Sequence, residues 1–309
     1  MFKLPNPPSP QAGVHELADF VEILSWLHRS ASEREIVAYL GRIDDNDSNE
    51  GCNDDEDQIT DFLEEVMNEI ERRATACESG YPFVLEGKGT VLKFAVLESE
   101  AIRSSVYLYL LLSTRLNMQC NRTHANIDGA DLLENLSAHV LRTYLGSSKA
   151  QSLVVGTSNP GTFQDRVNNL CQSLGEGSRF RSLDNASIRA KDDKVDTVTW
   201  IPFVDRLPGQ LIVFGQCKTG TNWRDQISQS RPEDFIKKWM HEPFLVNPLR
   251  VFCVSEAVDR SRWKGTSVAA GILFDRCRLV EYCVGLDAHI LTSIQKWTAE
   301  AKKTINFNG

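Results

Sequence analysis

The chain has 309 residues, of which 41% are hydrophobic and 25% charged, a composition typical of a globular protein with a sizeable core. No apolar run reaches membrane-spanning length, and the proline-rich start (residues 1–13) lacks the apolar stretch of a signal peptide. The eight cysteines include no Cys-x-x-Cys pair, so we expect reduced thiols in a cytoplasmic protein that does not associate with membranes.

The first 120 residues are predicted to form a mainly helical unit. Apolar residues at helical spacing indicate helices at 14–29, about 58–77 and 99–116. A capping-box pattern, Ser32 with Glu35, opens a further helix that ends near Gly41. A hairpin is predicted around residues 87–89.

One segment of this unit, residues 44–57, carries eight acidic residues and no basic one, which matches the formal net charge of −8. We interpret it as a solvated acidic linker; a segment that repels or mimics nucleic acid is the alternative. From Lys218 onward the chain has more Lys and Arg than Asp and Glu. The acidic total therefore does not exclude a polyanionic ligand.

Residues 121–309 form the second predicted unit, in which helices and strands alternate. The predicted elements are a helix at 129–145, a strand at 152–156, a helix at 162–174, strands at 195–203 and 210–218, a helix at 222–240, a strand at 248–256, one or two strands within 267–285, and a helix at 287–303. The short loop after residue 203 makes its two strands antiparallel, and the helical crossover after residue 218 makes the next pair parallel. This order indicates an α/β fold with a mixed sheet.

Polar side chains lie at one end of each of two neighbouring strands. By strand alternation, Gln216 and Lys218 share a face and Cys217 points to the other, where we expect a small core residue. A register that places Asp196 near Gln216 also aligns two apolar pairs, Val198 with Phe214 and Trp200 with Ile212. We therefore expect a carboxylate, an amide and an ammonium to lie together at the open end of the hairpin. A solvated strand end and a turn residue at Asp196 are the alternatives.

Glu134 is predicted to lie on the packing side of the helix at 129–145. The polar arc of that helix consists of Asp131, Asn135, His139 and Arg142. A carboxylate among apolar side chains costs free energy unless it is paired, and a metal ion or its bound water would pair with it. A side chain that reaches past the leucines to solvent, or that pairs with an arginine, is the alternative.

These residues predict a metal-dependent chemistry. Asp196, the Gln216 carbonyl oxygen and Glu134 are hard oxygen donors suited to Mg²⁺ or Mn²⁺. A metal ion at this position would lower the pKa of a bound water and polarise a phosphate. Lys218 would position the attacking water or neutralise charge in the transition state. The predicted reaction is phosphodiester hydrolysis.

At these residues the chain resembles the PD-(D/E)xK restriction-endonuclease superfamily. Glu134, Asp196 and Gln216-x-Lys218 follow its element order, and the glutamine is similar to that of the Mrr-like branch. That branch often has Asp-Gly-Gly-x-Asp before Gln-x-Lys, whereas this chain has Asp193-Lys194 in place of the two glycines. Asp192 and Asp193 therefore compete for the role of metal ligand. The resemblance covers about residues 125–256.

The resemblance implies a restriction-endonuclease-like αβββαβ core with a mixed sheet, beside the N-terminal mainly helical unit. It implies a Mg²⁺-dependent endonuclease that cleaves double-stranded DNA, with defence against foreign DNA as a common role. It further implies a homodimer, because two strands must be cut, and a separately encoded NTPase or sensor as a partner. The chain has no phosphate-binding P-loop of its own, and its six histidines lack metal-ligand spacing.

Four residues near the last predicted crossover are candidates for contact with DNA phosphates: Thr221, Asn222, Arg224 and Lys237. A plain helix cap and a solvated helix face are the alternatives. Trp223 and Trp239 are expected to pack in the core rather than stack on bases. For the whole protein, a catalytically silent nuclease fold that serves as a DNA-binding or assembly module is the alternative function, and an RNase is a third.

Overall fold

The computed structural model describes residues 2–9, 11–44, 54–146, 148–156, 161–183, 194–229, 231–305 and 307. Residues 45–53 of the predicted acidic linker, and the competing ligands Asp192 and Asp193, lie outside these ranges. Within them, no helix combines the length and the apolar character needed to cross a membrane.

The N-terminal region combines four helices with a small antiparallel sheet. Its elements are α1 (Val14–His28), β1 (Ser30–Ser32), α2 (Glu33–Asp44), α3 (Asp54–Cys77), β2 (Phe83–Glu86), β3 (Val91–Phe94) and α4 (Ala101–Arg115). The hairpin of β2 and β3 turns at residues 87–89 as predicted. Strand β1, which the sequence analysis missed, pairs with β3. The capping box is present, because the Ser32 backbone N–H and hydroxyl both donate to the Glu35 carboxylate.

The rest of the chain forms a five-stranded mixed sheet with flanking helices, which confirms the α/β class. The elements of this part of the chain are β4 (Thr123–His124), β5 (Ile127–Asp128), α5 (Gly129–Tyr144), β6 (Gln151–Val154), α6 (Phe163–Leu174), β7 (Thr197–Ile201), β8 (Leu211–Lys218), α7 (Pro232–Trp239), β9 (Leu249–Val254), α8 (Trp263–Ala270), β10 (Ile272–Phe274), α9 (Arg276–Glu281) and α10 (Ala288–Lys302). Strands β4 and β5 pair with each other outside the five-stranded sheet. The sheet order is β10-β9-β8-β7-β6. Strand β7 is antiparallel to both neighbours, whereas β8, β9 and β10 are parallel.

Two predicted elements were wrong. The helix predicted at 222–240 is a short 3-10 helix, Asn222–Gln226, followed by the separate helix α7. Pro232 explains the break, because a residue before proline avoids helical angles, and Arg231 has φ −128° and ψ 100°. The strand predicted within 277–285 is helix α9, whose N-terminus is capped by the Asp275 side chain.

One apolar core runs across the predicted boundary at residue 120. It includes Phe2 near the start of the chain and Ile305 near the end. Helix α10 packs on α4, and α9 packs on both α3 and α4. The N-terminal helices are thus covered by C-terminal helices, and the two predicted units share their main core.

The two faces of β8 enter different cores, as its alternation predicts. Val213 and Cys217 belong to the core shared with the N-terminal helices. Ile212 and Phe214 pack instead in a second core with residues of α6 and α7. Because Gln216 and Lys218 follow Phe214 on its face, the strand directs them away from the shared core.

Candidate functional site at the end of strands β7 and β8

The register of β7 and β8 places Asp196 beside Gln216. The predicted pairs are present, Val198 with Phe214 and Trp200 with Ile212. One residue before β7, the Asp196 N–H donates to the Gly215 carbonyl at 2.9 Å, which extends the antiparallel ladder. The Asp196 carboxylate accepts a hydrogen bond from the Cys217 N–H at 2.6 Å. This carboxylate is therefore held at the backbone between Gln216 and Lys218, and the residue is only 4% exposed.

Gln216 is fully buried, with 0% exposure, and its neighbour in β9 is Phe252. Neither its Oε1 nor its Nε2 has a hydrogen-bond partner within the described ranges. An unsatisfied buried polar group costs about 1–3 kcal/mol, so the Gln216 amide requires an explanation, and a bound ion is one.

Glu134 approaches the same end of the sheet from α5. It is 8% exposed, on the packing side of the helix as predicted. Its carboxylate lies against Gly156, because a Cβ built on that glycine would be 2.2 Å from Glu134 Oε2. The Gly156 N–H in turn donates to the Asp196 carbonyl at 3.1 Å. Glu134 and Asp196 are thus both next to Gly156.

One residue of the predicted polar arc of α5 is not solvated. His139 is buried and hydrogen-bonded to the Val284 carbonyl at 3.0 Å. Burial lowers the pKa of its imidazole, which keeps it neutral near pH 7. Helix α10 and the segment before it cover a face of α5 that this helix alone would expose to water.

The three candidate ligands fit a small divalent cation by their chemistry. Two carboxylates and one amide oxygen are the donors that Mg²⁺ and Mn²⁺ prefer, and the Gln216 amide is the group that lacks a protein partner. No set of three or more His, Cys, Asp or Glu with metal-binding geometry occurs among the described residues. The candidate set therefore depends on the amide as its third donor.

Lys218 lines a cleft of about 430 Å³ next to the candidate ligands. The lining consists of Lys3, Asn117, Met118, Gln119, Lys218, Thr219, Gly220, Thr221, Asn222, Trp223 and Gln226. It contains two lysines and no acidic residue. Asp196, Gln216 and Glu134 do not line this cleft, so Lys218 and the three candidate ligands are neighbours in register but do not share this cavity.

The four predicted phosphate contacts are divided between two elements. Asn222 is exposed, whereas Thr221 is buried and its side chain does not cap the 3-10 helix. Arg224 pairs with Glu256 at 3.1 Å and stacks over Trp223 at 4.5 Å. Lys237 is exposed on the separate helix α7. Trp223 and Trp239 are buried in the core, as expected.

Lys3 is the functional candidate that sequence reasoning missed. Its ammonium donates to the Thr114 carbonyl at 2.8 Å and lies beside Gly220 in the cleft. Burial is the main cause that lowers its pKa to about 8, and the nearby Arg115 charge adds to the effect. A lone lysine in a proline-rich start gives no sequence signal for such a role.

Cys217 is excluded as a nucleophile at this site. Burial raises the pKa of its thiol well above the ordinary value, so it stays protonated near pH 7. It packs in the shared core, on the face of β8 opposite Gln216.

Searches of this chain against protein-family models, curated proteins and solved structures found no match.

Proposed function

We propose that the protein is a metal-dependent DNA endonuclease of the PD-(D/E)xK kind. The supporting observation is the register that brings Asp196 beside the unpaired Gln216 amide while Glu134 approaches from α5. The elements follow the order α5-β6-α6-β7-β8-α7-β9, which is the αβββαβ order that the resemblance implies with the additional helix α6 between β6 and β7. Together these features fit a phosphodiesterase site at one end of the sheet.

The residues of this site have distinct proposed roles. Asp196, Gln216 and Glu134 would hold Mg²⁺ or Mn²⁺, which supplies an activated water and charge stabilisation when bound. Asp196 is kept in place by the Cys217 N–H, which fixes one carboxylate oxygen. Lys218 brings a positive charge to the solvent side of the site, where it would balance the charge of the phosphate.

The partners follow from this activity and are part of the proposal. The substrate is double-stranded DNA, and a homodimer would supply the two active sites that a double-strand cut requires. A cytoplasmic role in defence against foreign DNA, with a separately encoded NTPase or sensor, agrees with the resemblance. In such a system this chain would supply the site that cleaves DNA, and the partner would supply the NTPase or sensor.

A plasmid-cleavage assay with Mg²⁺, Mn²⁺ or EDTA tests the proposal. We expect cleavage by the wild type with metal only, and a loss of about 100-fold or more in Asp196→Asn and Lys218→Gln. Asparagine keeps an acceptor for the Cys217 N–H, so the first variant removes charge and not the local hydrogen bond. Lys296→Gln, at an exposed position on α10, is the matched control. Cleavage that survives both site substitutions would exclude the assignment.

One observation favours a second function, a catalytically silent nuclease fold that binds DNA. Glu134, Asp196 and Gln216 are all buried, and the Asp196 carboxylate already satisfies a backbone N–H. Binding of DNA without cleavage under every metal condition would support this alternative. Parallel assays with RNA of the same sequence test the third possibility, an RNase.

A further inference from the structure

We infer that the cleft beside Lys218 binds a phosphodiester group of the nucleic-acid strand, held between Lys3 and Lys218. The identity of the ligand as nucleic acid rests on the proposed function. Lys3 would then be a binding residue supplied by the N-terminal region to a site on the central sheet. The N-terminal region would thereby contribute to substrate binding.

The N-terminal segment is fixed in a way that directs Lys3 into the cleft. Phe2 and Leu4, on either side of it, are both buried. Phe2 packs edge-on against Phe20 and beneath the Arg115 guanidinium, and the Leu4 N–H donates to the Arg115 carbonyl at 2.9 Å. Between these anchored neighbours, the Lys3 side chain lines the cleft.

The loop that follows β8 also lines the cleft. Gly220 in this loop has φ +75°, a conformation that glycine adopts readily, and its N–H donates to the Ser113 carbonyl of α4 at 3.0 Å. A Cβ built on Gly220 would lie 3.6 Å from the Lys3 ammonium. This turn therefore brings Lys3 and Lys218 to the same cavity, although they are far apart in sequence.

The charge of the cleft selects an anion. Two lysines line it together with amide and hydroxyl side chains, and no carboxylate does, in a protein of net charge −8. Lys3 uses one of its three N–H donors on the Thr114 carbonyl, which leaves two for a ligand. A volume of about 430 Å³ is sufficient for a phosphate and part of its nucleotide.

Binding of a short labelled DNA duplex in EDTA tests this inference without cleavage. We expect Lys3→Gln to weaken binding about 10-fold, the effect of one charge-assisted hydrogen bond, and to reduce the salt slope by about one. Lys3→Arg should keep the affinity, and Lys296→Gln should change it less than about twofold, since its charge lies outside the cleft. Thermal unfolding of each variant confirms that it is folded.

The outcomes separate this inference from the proposed function. Equal affinities of Lys3→Gln and Lys296→Gln would overturn the inference even if cleavage depends on Asp196. A selective effect of Lys3→Gln, with no cleavage under any metal, would support the inference and overturn the nuclease. If the wild type does not bind the duplex, nucleic acid is excluded as the ligand. The same conclusion holds if inorganic phosphate, and not the duplex, raises the stability of the protein in a way that depends on Lys3.

Discussion

The buried Gln216 amide has a measurable thermodynamic consequence. Replacing it with methionine removes two polar atoms that have no partner within the described part of the chain, at similar volume. We expect Gln216→Met to raise stability in EDTA by about 1–3 kcal/mol, measured by urea unfolding. Mg²⁺ or Mn²⁺ should stabilise the wild type and leave the variant unchanged.

Gln210 is the matched control for this prediction. It is also buried, just before β8, but its side-chain N–H donates to the Leu174 carbonyl at 2.5 Å. Gln210→Met should therefore lower stability, because it leaves that carbonyl unsatisfied. If both methionine variants are destabilised to the same extent, Gln216 has a partner that its environment in the structure does not show.

The pKa of Lys3 predicts how the binding of DNA depends on pH. Burial lowers this pKa from 10.5 to about 8, so the free cleft loses a positive charge as pH rises through 8. The other charged groups that act on Lys3 are Arg115, Glu256, Asp19 and Glu16. We expect affinity for a DNA duplex to fall between about pH 7 and pH 9 in the wild type.

Lys3→Arg provides the control for this pH profile, because arginine remains charged throughout the range. Its binding should be flat over the interval in which the wild type weakens. A shared loss of affinity in both proteins would attribute the titration to a group other than Lys3.

The residues of the candidate site differ in how far the sequence reveals them. Asp196 and Gln216 follow from strand alternation and a hairpin register, which depend on neighbouring residues and are readable locally. Lys3 reaches the cleft through a contact with Gly220, more than two hundred positions later in the chain. A contact of that kind depends on tertiary packing and leaves no periodic pattern.

At the scale of elements, helix α5 rests directly on the sheet at Gly215. A Cβ on this glycine would lie 2.4 Å from the Thr197 hydroxyl and 3.2 Å from Leu141 Cδ1 of α5. We expect Gly215→Ala to destabilise the protein by about 1–3 kcal/mol, measured by urea unfolding, because α5 or Thr197 must shift. Thr197→Ala in the same chain should recover most of the loss.

Gly265 is the comparison for this substitution. It lies within helix α8, where an added Cβ meets nothing within 4 Å. Gly265→Ala should be neutral or stabilising by up to about 1 kcal/mol. Equal destabilisation by both alanines would show that α5 does not pack as closely on β8 as the structure has it.

The elements most poorly predicted are those whose apolar pattern suits more than one conformation. The pattern of residues 277–285 predicts a strand. In the structure their first part is helical, because Asp275 caps a helix there and the helix is buried against α3 and α4. Strand β1 is three residues long and is formed through its pairing with β3. In both places tertiary contacts outweigh local propensity.

At the scale of the whole molecule, a buried charge network joins distant parts of the chain. Asp19 and Glu22 of α1 accept hydrogen bonds from Arg73 of α3 and Arg276 of α9, and Asp19 also accepts one from Arg115 of α4. These five side chains are almost entirely buried. The three arginines hold the pKa of Asp19 well below its usual value, against the raising effect of burial.

Removing one arginine from this network should strongly lower the free energy of unfolding. We expect Arg276→Met to cost about 3–5 kcal/mol in urea unfolding, because it leaves buried carboxylates undercompensated. Arg262→Met, which removes an exposed arginine 3.9 Å from its carboxylate partner, should change stability by less than about 1 kcal/mol. Similar effects of the two substitutions would mean that the network contributes no more than a surface pair.

The ring of Phe20 contacts Phe2 at 5.9 Å and Phe307 at 5.3 Å between centroids, so two residues 305 positions apart meet on one side chain. This arrangement constrains how the protein can be made. While a ribosome is still extending the chain, α1 lacks both Phe307 and the Arg276 guanidinium. The N-terminal helices should therefore stay exposed to chaperones and proteases until the chain has been made as far as Phe307, and then fold together with the sheet.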